Sequence, residues 1–173
     1  PKAFADENFN FRGKELSGLR QMSPRSLRAV NSTSAALGDI VGKMYSDKYF
    51  PAKSKAAIKD LVKNIILAFR QRIDRLDWMS PETRAKAKAK VDTLYVGVGY
   101  PDKWRSYAGL KIIPDDALGN SQRVSLFNYK YALSKLSQPV DKGEWWMAAQ
   151  VVNAVNYPLQ NALSFPAAIL NPP

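Results

Sequence analysis

AKSKAAIKDLVKNIILAFRQRIDRL, residues 52–76, is the stretch that decides the fold. Ile58, Leu61, Ile65, Phe69, Arg72 or Ile73, and Leu76 recur at spacings of three and four, the period of one helical face, and predict a buried stripe. Phe50-Pro51 breaks the chain ahead of this helix and Trp78-Met79 ends it. Ser80-Pro81-Glu82 then opens another helix: Ser as N-cap, Pro at the first helical position, an acid in the first turn. Upstream, Ser23-Pro24 opens a helix by the same logic. Leu27, Val30, Ser34, Leu37, Val41 and Met44 carry it onward as one amphipathic helix. Gly38 and Gly42, four apart near that face, suit close helix packing. The first twenty residues hold Phe4, Phe9, Phe11, Leu16 and Leu19 without a steady period, and predict an irregular arm.

Past the helices the pattern changes. Leu94, Val96, Val98 and Tyr100 alternate as on a strand, although Gly97 and Gly99 weaken the pattern. Breakers crowd between Pro101 and Pro114, so a domain junction is expected there, dividing the chain into residues 1–112 and 113–173. After Pro114-Asp115-Asp116, a further helix is marked by Leu118, Gln122, Leu126, Tyr129, Leu133 and Leu136, and Ser137-Gln138-Pro139 stops it. Val151-Val152-Asn153-Ala154 and the run from Asn161 to Pro173 read as two short strands around a Tyr157-Pro158 turn. An Asn side chain offers both a donor and an acceptor, and an exposed strand edge can pair with an extended peptide. The Asn153-Ala154 pair is therefore a candidate grip on a peptide backbone. The fold class expected is mainly α, a helical segment followed by the first strands of an α+β domain.

Composition narrows the function classes. A hydrophobic fraction of 46% with 11% aromatics predicts a folded domain and excludes disorder. No apolar run is long enough to span a bilayer. Pro1-Lys2-Ala3-Phe4-Ala5-Asp6 does not read as a signal peptide. The missing start Met and the ending on Pro172-Pro173 lead us to expect an excised piece. Cysteine and histidine are both absent. The usual zinc sites and Ser-His or Cys-His nucleophile pairs therefore cannot be assembled from this chain. The formal charge of +11 invites a nucleic-acid reading. Its densest stretch, Arg84-Ala85-Lys86-Ala87-Lys88-Ala89-Lys90, turns each successive charge by about 200° around a helix, which disperses the charges rather than forming a stripe.

A resemblance then emerges from blocks in order. Pro24-Arg25, Leu37-Gly38, Gly42-Lys43-Met44-Tyr45, Lys48-Tyr49-Phe50-Pro51 and Trp78-Met79-Ser80-Pro81-Glu82-Thr83 resemble the helical region of the neprilysin family of zinc metallopeptidases. Gly99-Tyr100-Pro101-Asp102-Lys103-Trp104-Arg105, Pro139-Val140-Asp141, Glu144-Trp145 and Met147 extend the likeness. Val152-Asn153-Ala154 through Phe165-Pro166-Ala167-Ala168-Ile169-Leu170 to Pro172-Pro173 is similar to the family's substrate strand. The resemblance implies a helical domain capping a thermolysin-like catalytic domain around a chamber for oligopeptides. It implies zinc in the parent protein, held by an H-E-x-x-H helix and a later Glu that lie beyond this chain. It implies that the Asn153 side chain bonds a substrate backbone and that the Ala154 carbonyl accepts a substrate N–H. The partners so implied are an oligopeptide and the remaining catalytic part of the same protein, with no nucleic acid and no membrane segment here. Family analogy favours an extracytoplasmic parent. Four positions depart from the family pattern. Val155 and Asn156 replace two aromatics, Ala162 replaces an acid or amide, and Asn171 replaces a Gln.

Other features have plainer readings. Trp145-Trp146 is expected to anchor a buried seam, Arg105 to make a structural cation–π or ionic contact, and Asp115-Asp116 to cap a helix. The rival functions are a freestanding basic helical module binding nucleic acid or an acidic partner, and a non-enzymatic scaffold domain.

Overall fold

A computed structural model describes residues 2–171; Pro1 and the Pro172-Pro173 pair quoted above lie outside the described residues. The chain separates into two compact units, residues 1–36 and 37–173.

The first unit is helical from its start, where an irregular arm was expected. Helix α1 (Lys2–Asn8) runs directly into a π-helix at Phe9–Glu15. The widened turn is registered by the Leu16 N–H, which donates to the Phe11 carbonyl at 3.1 Å. Pitch changes at Phe9, and that change erases any single apolar period across these residues. Gly13 lets the Phe9 ring lie on the helix backbone, since a Cβ there would stand 2.5 Å from the ring. Phe4, Phe11, Leu16 and Leu19 are exposed. Helix α2 (Arg25–Ala36) completes the unit.

The second unit begins at Leu37. The long amphipathic helix expected from Leu27 to Met44 is broken at Leu37, whose φ of −125° and ψ of 40° leave the helical region. Helix α3 (Gly38–Tyr49) restarts there, with Asp39 in its first turn. Glycine at 38 and 42 supports a continuous helix poorly. After Phe50-Pro51, α4 (Ala52–Asp74) occupies the predicted stretch almost to the residue. Its apolar stripe is covered only at the ends. Ile73 is buried and Ile58 packs on the core, whereas Leu61, Ile65 and Phe69 stay more than half exposed.

Helix α5 (Pro81–Asp92) starts as its residues dictate, with Ser80 Oγ accepting from the Thr83 N–H at 3.1 Å. Strand β1 (Tyr95–Gly99), helix α6 (Ala117–Ser134), strand β2 (Val155–Tyr157) and strand β3 (Ala162–Pro166) follow. The sheet order is β1-β3-β2. β1 lies parallel to β3, with Tyr95 opposite Ala162 and Gly99 opposite Pro166. β2 lies antiparallel to β3, with Val155 opposite Ser164. A parallel pair needs a long crossover, and α6 occupies it.

The two glycines that weaken β1 as a strand mark close approaches. A Cβ on Gly97 would stand 2.9 Å from the Trp145 ring, and one on Gly99, where φ is +76°, would stand 2.5 Å from the Phe50 ring. Phe50 joins Ala149 and Ala167 in the core, with Tyr45, Ile58, Tyr100, Trp104 and Leu170 packed around them. Tyr100 and Trp104 stack with ring centroids 5.8 Å apart. The fold is mainly α with a small mixed sheet, as expected.

Candidate functional site

The candidate grip sits where the chain enters the sheet. Asn153 and Ala154 lie just before β2 rather than on it, because regular pairing begins at Val155. Both are exposed. A sequence of short bonds shapes the approach. The Val151 N–H donates to the Ala148 carbonyl at 3.1 Å, and the Asn153 N–H to the Val151 carbonyl at 3.0 Å. The Ala154 N–H donates to Asn153 Oδ1 at 2.8 Å. The Asn153 side chain thus spends its acceptor locally, and no partner takes its Nδ2 donors among the described residues. β2 is an edge strand, so its outer side is unpaired among those residues.

The hairpin that carries β2 is pinned at its tip. A 3₁₀ turn at Pro158–Gln160 ends on Asn161 in the left-handed region, at φ +51°. Its side chain donates to the Lys90 carbonyl at 2.7 Å and to Thr93 Oγ1 at 3.0 Å, both at the end of α5. The Tyr95 N–H donates to the Asn161 carbonyl at 3.0 Å. Nothing in the sequence signals this beyond an Asn in a turn, a residue type that tolerates the left-handed conformation.

The four departures take distinct positions. Val155 is half-buried and Asn156 is exposed. Ala162 is buried, facing Tyr95 and Tyr157 in register. Asn171 donates to the Tyr45 hydroxyl at 2.8 Å. An aromatic pair remains beside the strand, Trp146 and Tyr157, with ring centroids 5.6 Å apart. Trp146 is 71% exposed, contrary to a buried role for both tryptophans, while Trp145 packs its ring on Gly97.

Around the crossover, Arg105 is held in an aromatic box. Its guanidinium carbon lies 4.0 Å from the Tyr131 ring centroid, 5.1 Å from Phe127 and 5.4 Å from Tyr107. One of its terminal nitrogens donates to Asn128 Oδ1 at 2.8 Å. This is the structural cation–π role expected. Burial pushes the nearby Asp39 carboxyl up, against the attraction of Arg105. Asp116 caps α6 by accepting from the Gly119 N–H at 3.0 Å, and its pairing with Arg123 pulls its carboxyl down. The basic run of α5 disperses to separate partners: Arg84 to the Leu76 carbonyl, Lys86 to Glu82 and Lys88 to Asp74.

Lysine 55 was not anticipated. It is buried on α4, where its ammonium donates to the Tyr100 carbonyl and to Asp102 Oδ1, each at 2.7 Å. It also lies 4.0 Å from the Tyr100 ring centroid. That hydrogen bond holds the Asp102 carboxyl below the usual carboxylate range.

A mainly α scaffold that hands over to a small mixed sheet is shared with zinc metalloproteases of known structure. A match to Peptidase family M13 spans residues 1–101. The chain belongs to that family, the neprilysin family. It is 34% identical over 160 residues to a neutral endopeptidase of Lactobacillus helveticus, covering 91% of this chain and 25% of the relative. It is 34% identical over 179 residues to an endothelin-converting enzyme homolog of Locusta migratoria, covering 99% and 24%. The crystal structure of the Mycobacterium tuberculosis zinc metalloprotease Zmp1 in complex with an inhibitor superposes with a TM-score of 0.88 at 44% identity, covering 99% of this chain and 26% of that one. The chain therefore spans about a quarter of the length of these relatives. Zinc, which the family implies, does not fit the residues present. The chain has no His or Cys, and no group of three His, Cys, Asp or Glu gathers among the described residues. No helix of the described residues is long and apolar enough to cross a membrane.

Proposed function

We propose that this chain is a non-catalytic segment of a zinc-dependent metalloendopeptidase that hydrolyses oligopeptides. Residues 1–112 belong to the helical domain that walls the substrate chamber, and residues 113–173 open the catalytic domain. Asn153 and Ala154 hold the peptide backbone, and zinc with its ligands comes from the remaining part of the same protein. That part is the segment's principal partner, and family analogy favours a parent that works outside the cytoplasm. The observation that carries this reading is the placement of Asn153 and Ala154. They are exposed, at the mouth of an edge strand, with the Asn153 Nδ2 donors without a partner among the described residues. An extended peptide added at that edge would run alongside β2 and meet both residues.

The test is Asn153→Ala in the full-length protein. Peptide kcat/KM is expected to fall by the equivalent of about 1–3 kcal/mol, the loss of a buried substrate hydrogen bond, while zinc content stays normal. Unchanged kcat/KM would sink the assigned role.

A further inference from the structure

Helix α3 carries an unusual contact that the proposed function does not use. The segment 148–150 lies directly on the glycine face of α3. A Cβ added to Gly42 would stand 3.0 Å from Gln150 Oε1, 3.1 Å from the Ala149 backbone nitrogen and 3.4 Å from Ala149 Cβ. A Cβ at Gly38 would meet Ala148 Cβ at 3.4 Å, an ordinary contact. The two glycines thus seat an irregular loop segment, where close packing of a helix was expected. From its other side the same segment is pinned: the Ala168 N–H donates to the Ala149 carbonyl at 3.0 Å, and Ala149 is buried against Phe50 and Ala167. Downstream, the bonds Val151 to Ala148, Asn153 to Val151 and Ala154 to Asn153 tie the approach to β2 to the segment at Ala148, the residue next to Ala149, in three short steps.

We infer that Gly42 is a positioning residue for peptide binding: by letting Ala149 approach the α3 backbone, it sets where Asn153 and Ala154 stand. The inference rests on the peptide-gripping role of Asn153. Glycine is required at position 42 by the space it leaves, since its backbone is helical and alanine favours a helix more. Gly42→Ala therefore folds, but it displaces the Ala149 backbone by a few tenths of an ångström.

The experiment is a double-mutant cycle in the full-length protein, reading kcat/KM on an oligopeptide with zinc content and thermal unfolding as controls. Gly42→Ala is expected to lower kcat/KM about five- to tenfold, because small misplacements of a substrate-positioning group are costly. In the Asn153→Ala background the same substitution is expected to change nothing further, since the group it misplaces is gone. Gly38→Ala is expected to leave activity intact. An equal loss from Gly42→Ala in both backgrounds overturns the inference, because Gly42 then acts independently of Asn153. No loss from Gly42→Ala, with Asn153→Ala impaired, overturns it while leaving the grip itself standing. Wild-type turnover in Asn153→Ala alone removes the grip and this inference together.

Discussion

Lys55 shows how far a single side chain can depart from its local pattern. A lysine on a helix among other charges reads as solvated, yet this one is 8% exposed and ties α4 to the end of β1. Lys55→Met keeps the apolar stem but strands the Tyr100 carbonyl, and should cost about 1–3 kcal/mol of stability. Chemical unfolding of the full-length variant measures this. The Asp102 partner gives the acid side of the same contact. Its folded-state pKa is depressed by the Lys55 hydrogen bond, so its contribution is present above the unfolded value and is lost as pH falls through the folded one. Wild-type unfolding temperature should therefore drop on acidification through and below the usual carboxylate range, and Asp102→Asn should flatten that limb. Asp39 has the opposite sign. Burial raises its pKa, so its contribution is full below the unfolded value and is lost as pH rises through the folded one. Arg105 and Asp116 were legible in part, because Tyr107 stands close to Arg105 in the chain and Asp116 caps the turn that follows it, whereas the nearest ring on Arg105, Tyr131, comes from α6. Lys55 was not, because its partners lie more than forty residues away.

Elements were legible where capping and period agreed. Ser80-Pro81 opened α5, and α4 kept its predicted start. The break at Leu37 was illegible because no proline or turn pair marks it, and apolar spacing runs through it unbroken. The π-helix escaped notice for the opposite reason: its apolar residues follow a pitch that no single period describes. β1 was legible despite its glycines, and their purpose emerged only from packing. Gly99 combines a positive φ with the Phe50 ring against its backbone. Gly99→Ala should destabilise by about 2–4 kcal/mol, combining backbone strain with overpacking. A lowered urea midpoint with an unchanged m-value would register that loss as stability alone.

For the whole molecule, family membership was legible from ordered blocks, whereas which faces stay uncovered was not, because periodicity marks an apolar face without naming what covers it. Ile65 and Phe69 are 58% and 54% exposed in the middle of α4. On the proposed function, the rest of the parent protein covers them. Ile65→Asp should then change the stability of the isolated chain by no more than about 0.5 kcal/mol. In the full-length protein it should cost about 2–4 kcal/mol, from burial of an unpaired polar group. Equal effects in both would show that nothing covers α4. The parallel pairing of β1 with β3 also orders events in time. A ribosome releases Gly99 well before Ala162, an interval of roughly 3–13 s at ordinary elongation rates. Throughout it, β1 has no strand to pair with, and the nascent chain carries an open template for other chains. The interval belongs to translation speed, so synonymous codons between these strands can change the yield of folded protein without altering one residue of it.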